Sequence, residues 1–182
     1  MMVEQTELPG VLVVRSPVHH DARGFFTEVF HEPRFANLGL PQQFAQDNHS
    51  RSTFNVLRGL HFQLENPQGK LVRPASGIIF DVAVDLRRSS PCFGRWVGLS
   101  LEAGDGRQLW IPPGFAHGFL VLSESADVIY KCTSVHHAES NRCVRWDDPE
   151  IGIRWPVPAG TSPILSPADA AAPTLSAAVC FA

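Results

Sequence analysis

The chain has 182 residues, a net charge of −3, 44% apolar and 18% charged side chains, the balance of an ordinary globular domain. At this length folding buries about 70% of the unfolded surface, so a single domain over residues 1–182 needs no disulfide or metal to hold it. The mild acidity excludes an electrostatic footprint for nucleic acid or an anionic membrane, and no apolar run approaches the ~18 residues of a membrane span.

The opening Met1–Thr6 has neither the basic nor the apolar region of a secretory signal. Four cysteines, Cys92, Cys132, Cys143 and Cys180, lack CxxC spacing and read as reduced thiols, so the cytoplasm is the expected compartment. Fifteen Pro and fourteen Gly cut the chain into short segments. Strands are expected at 11–14 and 24–30, then a short helix over 33–38 with Pro33 at its start and Gly39 past its end. Strands follow at 56–63, 71–73, 78–86, 95–101, 108–111, 118–122 and 128–132. The best is Ile78–Leu86, where Ile78, Phe80, Val82, Val84 and Leu86 form one apolar face and Asp81, Ala83 and Asp85 the other. Around nine short strands without crossover helices predict an all-β antiparallel sandwich or barrel. The Ala/Pro-rich tail from Ala168 to Ala178 reads as a short helix or a surface arm.

The segment Val56-Leu-Arg-Gly-Leu-His-Phe-Gln63 places single polar side chains among apolar ones. Regular alternation puts Leu57, Gly59, His61 and Gln63 on one face and Arg58, Leu60 and Phe62 on the other. Taken alone, His61 reads as a core histidine with one satisfied hydrogen bond, or as a reactive group in a sheet-floored pocket. With His117 it suggests a metal site, but Gln63 stands where a metal cupin has a second histidine. Two imidazoles without a third strong ligand hold Zn or Fe poorly. Without a metal, the chemistry available is a histidine base, a cation at Lys70 and a phenol at Tyr130, the only tyrosine. These are the parts needed to take a proton from the carbon beside a ketone. Each has a plain alternative: Lys70 as a solvated loop charge, Tyr130 as a core aromatic. Ser166-Pro-Ala-Asp169 is a capping-box pattern, so Asp169 either caps a helix or orients His61.

Taken jointly, the motifs resemble the dTDP-4-dehydrorhamnose 3,5-epimerases, metal-free enzymes of the cupin fold, from about residue 8 to the end. They are Asp21–Glu28, Gln46–Ser50, Val56–Gln63, Gln68–Arg73, Phe80–Arg87, Trp110–Gly118, Tyr130-Lys and Trp146–Pro149. The resemblance implies an antiparallel double-sheet jelly roll, a cupin-like barrel with a few short helices. It implies a homodimer whose N-terminal strand joins the partner's sheet, no cofactor, and a nucleotide sugar, dTDP-4-dehydro-6-deoxy-D-glucose, as substrate. His61 matches the base that removes the C5 and C3 protons, Asp169 the carboxylate that orients it, Lys70 the cation at the keto oxygen and Tyr130 the proton donor. Arg23, Glu28, Gln46, Asp47, Asn48, Arg58 and His117 match substrate-binding positions. For Arg58 and His61 to face one ligand, Gly59 must permit a twist or bulge.

Three departures fall on substrate binding: Val135 and His136 replace a pair of tyrosines, Asn141 a glutamate and Ala168 a lysine. The alternatives are an epimerase acting at one carbon, a metal cupin, and a sugar-binding cupin without catalysis.

Overall fold

A computed structural model describes residues 1–182. Its strands are β1 (Met2–Gln5), β2 (Leu12–Arg15), β3 (Val18–Asp21), β4 (Gly24–Thr27), β5 (Gln46–Thr53), β6 (Leu57–Gln63) and β7 (Lys70–Ser76). They continue with β8 (Ile78–Asp85), β9 (Trp96–Glu102), β10 (Arg107–Ile111), β11 (Phe115–Val121), β12 (Ser125–Cys132) and β13 (Asn141–Cys143). Two short helices are α1 (Glu32–Asn37) and α2 (Pro167–Ala170). All strand pairs are antiparallel: one sheet runs β1-β2-β10-β7-β12-β5, the other β13-β6-β11-β8-β9, and β3 and β4 form a hairpin paired only to each other. This is the antiparallel sandwich that the many short, turn-separated strands predict, and the jelly roll that the family resemblance implies.

The two sheets close on a core to which both contribute, including Val13, Val72, Leu109 and Val128 from one and Ile79, Ala83, Phe119 and Val121 from the other. The apolar face of β8 is turned away from that core. Val82, Val84 and Leu86 lie under the C-terminal segment, which covers them with Val144, Ile151, Leu175 and Ala178. The tail is therefore a packed cover rather than a surface arm. Asp148, itself buried, fastens it: its carboxylate accepts from the backbone N–H of Glu150 (2.8 Å), Ile151 (3.3 Å) and Leu175 (2.8 Å). Three such bonds satisfy a buried carboxylate. The opposite face of β8, carrying Asp81 and Asp85, looks between the sheets.

Helix α1 starts where Pro33 directs it, capped by His31, and packs Phe35 with Leu40 on the outer face of the first sheet against Val14, Leu71 and Trp110. The expected second strand stops at Thr27 rather than at residue 30. Strands β1, β3, β5 and β13 escape sequence reading because none alternates apolar with polar. Strand β5 has no apolar residue at all, since one face lines a polar space, the other meets solvent, and the strand is held by its full-length pairing with β12.

Candidate active site

At one end of the inter-sheet space the core gives way to a cavity of about 200 Å³. Its walls carry Arg58 and His61 from β6, Lys70 from β7, His117 from β11 and Tyr130 from β12, with Ser50 and Phe119 beside them. Five residues singled out from the sequence thus meet in one space. Arg58 and His61 do share a face, through a break in alternation. The register pairs His117 with His61 and Phe119 with Arg58, so three steps along β6 oppose two along β11. That extra residue is a β-bulge, which reverses the faces beyond it. It forms at Gly59, whose φ of +136° suits only glycine, and where an added Cβ would sit 2.5 Å from the Gly118 Cα. Beyond the bulge Arg58 is held by its Nε–H donating to Ser52 Oγ at 2.9 Å.

His61 Nε2 lies 2.5 Å from Asp169 Oδ1. The histidine side chain is 39% exposed and the aspartate 3%, so a buried carboxylate holds a ring that opens to the cavity. Asp169 is the third residue of α2, and Ser166 Oγ accepts its backbone N–H at 3.1 Å, so the cap forms as the sequence predicts. The carboxylate turns to His61. Burial pushes the Asp169 carboxyl up, but the hydrogen bond and charge of His61, joined by Ser166 and the Gly59 backbone, together outweigh it, and its pKa falls below the ordinary value. With Nε2 engaged, Nδ1 is the ring nitrogen left to take a proton.

Lys70 is buried, and its only hydrogen bond is a long one, 3.5 Å, from Nζ to the His61 carbonyl. Burial lowers its pKa, opposed by Cys132 and Asp81. A buried ammonium so weakly partnered calls for an anionic or strongly polar ligand group. Burial raises the Tyr130 pKa, so the phenol keeps its proton through neutral pH. His117 bonds through Nε2 to the fully buried Asp81 at 2.6 Å. Its ring lies 6.3 Å from that of Tyr130, centroid to centroid.

The remaining sequence candidates divide. Gln46 and Asn48 share the inward face of β5 with Ser50, and Asn48 stands opposite Tyr130. Asp47 is one residue out of phase and forms a salt bridge on the exposed side with Lys131 at 2.8 Å. Arg23 and Glu28 are outside the cavity: Arg23 pairs with Asp21 at the tip of the exposed hairpin, and Glu28 pairs with Arg34. The β3–β4 hairpin joins neither large sheet, so nothing within the chain carries them there. Sequence reasoning missed Ser50 and Asp81. Ser50 had a signal, lying at i+2 and i+4 from Asn48 and Gln46; Asp81 looked like part of a polar face.

A base with a bare ring nitrogen, a buried cation and a protonated phenol around one small space are equipped to remove a proton, hold an oxyanion and return a proton. A family model described as dTDP-4-dehydrorhamnose 3,5-epimerase matches residues 5–177. The chain belongs to this epimerase family. It is 52% identical over 181 residues to the dTDP-4-dehydrorhamnose 3,5-epimerase of Salmonella typhimurium, covering 98% of each chain. Its structure resembles that of the dTDP-6-deoxy-D-glucose-3,5-epimerase of Legionella pneumophila, solved with dTDP-4-keto-L-rhamnose. That likeness has a TM-score of 0.93 at 47% identity, covering 97% of this chain and 94% of the other. It also resembles a 3'-monoepimerase of Streptomyces bikiniensis in complex with dTDP-quinovose, with a TM-score of 0.87 at 32% identity, covering 94% and 86% of the two chains.

Within this epimerase-family chain the departures spare the proton-transfer groups themselves. Val135, His136, Asn141 and Ala168 are all on the surface, and the His136 backbone N–H donates to Gln46 Oε1 at 2.7 Å. Gln63, in the place of a cupin metal ligand, spends its amide on the carbonyls of Asn66 and Val135. No three His, Cys, Asp or Glu side chains converge to hold a metal, the four cysteines are free thiols, and no helix is long and apolar enough to cross a membrane.

Proposed function

We propose that this chain is a dTDP-4-dehydrorhamnose 3,5-epimerase: it inverts C5 and C3 of dTDP-4-dehydro-6-deoxy-D-glucose, giving dTDP-4-dehydro-L-rhamnose through enolates. The observation that carries the reading is the Asp169-bound imidazole of His61, the Lys70 ammonium and the Tyr130 phenol around one cavity. Both carbons lie next to the C4 ketone, so each C–H bond breaks heterolytically into an enolate whose charge rests on O4. His61 takes the proton at Nδ1, while Asp169 on Nε2 stabilises the imidazolium. Lys70 meets the charge at O4, where one such group is worth about 10²–10³ in rate. Tyr130 delivers a proton to the opposite face of the same carbon, which inverts it, and the phenolate is then reprotonated. The ketone is present from the start and no net redox occurs, so the reaction calls for no nicotinamide.

The cavity volume fits this division of labour. About 200 Å³ is less than the ~300–1,000 Å³ of pockets that engulf a drug-sized ligand. It takes the sugar, while the diphosphate and base lie outside, where Arg58, Gln46 and Asn48 lead. Arg is suited to bidentate contact with phosphate. The positions of Arg23 and Glu28 support a homodimer in which the hairpin of one copy reaches the other. The same hairpin exposes Phe25 and Phe26, at 56% and 70%, more apolar surface than a free hairpin gains from showing. Light scattering of the purified protein tests the dimer, with a monomer as the contrary result. The free thiols support a reducing, cytoplasmic setting.

A rival reading is an epimerase of one carbon, favoured by the likeness to the 3'-monoepimerase. Turnover in D2O separates the two. Deuterium at both C3 and C5 with a rhamno-configured product is the expected result; label at one carbon alone selects the rival. No turnover of the dTDP-linked ketosugar rejects both.

A further inference from the structure

Behind the cavity wall lies a second histidine–aspartate pair that the mechanism above does not use. Asp81 on β8 is fully buried, and its Oδ1 meets His117 Nε2 on the neighbouring β11 at 2.6 Å. Its other oxygen, Oδ2, is buried and bonds to no protein group. His117 is 5% exposed and lines the cavity together with Lys70. A carboxylate accepts hydrogen bonds and cannot donate them, so the proton between the two sits on Nε2, and Nδ1 is the nitrogen turned to other partners. Such an arrangement fixes a tautomer, as a buried aspartate does in a catalytic triad.

We propose that Asp81 is a positioning residue that makes His117 a hydroxyl acceptor beside Lys70, so that the two grip an α-hydroxyketone at adjacent oxygens. Lys70 donates to the ketone oxygen and His117 Nδ1 accepts from the hydroxyl on the next carbon. The inference rests on the cavity being the site of enolate formation, and it adds which sugars that site takes: those with a hydroxyl at C3, next to the C4 ketone. Burial keeps His117 neutral, and the nearby Lys70 and His61 oppose its protonation further, while Asp81 alone favours it. A neutral ring with its proton on Nε2 has a bare Nδ1, which rejects a partner that cannot donate. Sites built around a substrate hydroxyl discriminate strongly against the analogue lacking it, because the buried polar group is left unpaired.

Asp81→Asn reverses this logic. An amide donates to Nε2, moving the ring proton to Nδ1 and turning the acceptor into a donor. The test compares solvent-deuterium entry at C5 for the dTDP-linked 4-keto-6-deoxy sugar and for its 3-deoxy analogue. In the wild type the analogue exchanges about 10²-fold more slowly or worse. In Asp81→Asn the hydroxyl can only accept from the ring and its own proton is left without an acceptor, so exchange of the hydroxylated sugar falls and the preference shrinks by about five- to tenfold. A wild type that exchanges both compounds alike overturns the proposal, as does an Asp81→Asn enzyme that keeps the full preference. Nitrogen-15 shifts of the His117 ring in the wild type test the tautomer even where the variant does not fold: a protonated Nε2 and bare Nδ1 are expected, and the reverse overturns the proposal. A wild type that exchanges neither compound, with Nε2 protonated, overturns the epimerase reading and the clamp with it, whereas equal exchange of both overturns the clamp alone.

Discussion

Asp169→Asn isolates the part of the site that makes His61 a base. The substitution keeps size, leaves the Ser166 cap in place, and replaces an acceptor 2.5 Å from Nε2 with an amide that can donate. A hydrogen bond to a charged group contributes about 1.5–3 kcal/mol. Its loss at the transition state, where His61 becomes imidazolium, slows turnover by about 10- to 150-fold. The amide also favours the ring proton on Nδ1, the nitrogen that must be bare, and in a serine-protease triad the corresponding change costs about 10⁴. The expected kcat is therefore about 10²- to 10⁴-fold down, with KM nearly unchanged because Asp169 is 3% exposed and touches no substrate. Progress is followed by NMR in D2O as label enters C5 and C3. A kcat within threefold of wild type would refute the idea that Asp169 sets the reactivity of His61.

Gly59→Ala forces a side chain into a φ of +136° and against the Gly118 backbone; about 2 kcal/mol or more of stability is lost and activity falls as Arg58 and His61 part, which thermal melts and turnover check together. Lys70→Met lowers kcat about 10²–10³-fold. It also raises stability at neutral pH: a lysine whose pKa falls on folding binds more protons unfolded, so its charge costs stability below the depressed value, and that cost disappears as pH rises toward the ordinary ~10.4. Melts of both proteins across pH should converge at the alkaline end; a gap that widens there contradicts the sign. Asp148→Ala leaves three N–H groups, two of them buried, without their acceptor, costing about 2–4 kcal/mol. Because the freed tail carries Asp169, kcat falls with it, and an unchanged melting temperature would reject this role for Asp148.

The fold was legible because turn residues fall between short apolar segments, and Ile78–Leu86 alternates without a break. What periodicity could not tell is which sheet face is inside. The apolar face of β8 meets the C-terminal cover, and its sparser face carries Asp81 to the back of His117, because the segment from Val144 to Ala178, far along the chain, supplies the apolar partner. The joint placing of His61, Lys70 and Tyr130 was readable from motifs, as was the cap at Ser166. The bulge at Gly59 was readable only as a requirement, since two strands must be aligned before an extra residue is seen. The side chain of Asp47 leaves the face that Gln46 and Asn48 share because adjacent residues in a strand point apart, and it pairs with Lys131 instead. Arg23 is at the tip of a hairpin that pairs with neither large sheet and Glu28 lies just past its end, and no local pattern records where such a segment comes to rest.

In the proposed reaction one enolate lies between His61 and Tyr130, each on its own face. The most direct measurement is label entry at C5 in D2O for His61→Asn and Tyr130→Phe, scored separately from inversion. No exchange is expected without the imidazole, and exchange with retained configuration without the phenol. Inversion by Tyr130→Phe at the wild-type rate, or rapid exchange by His61→Asn, would contradict that reaction.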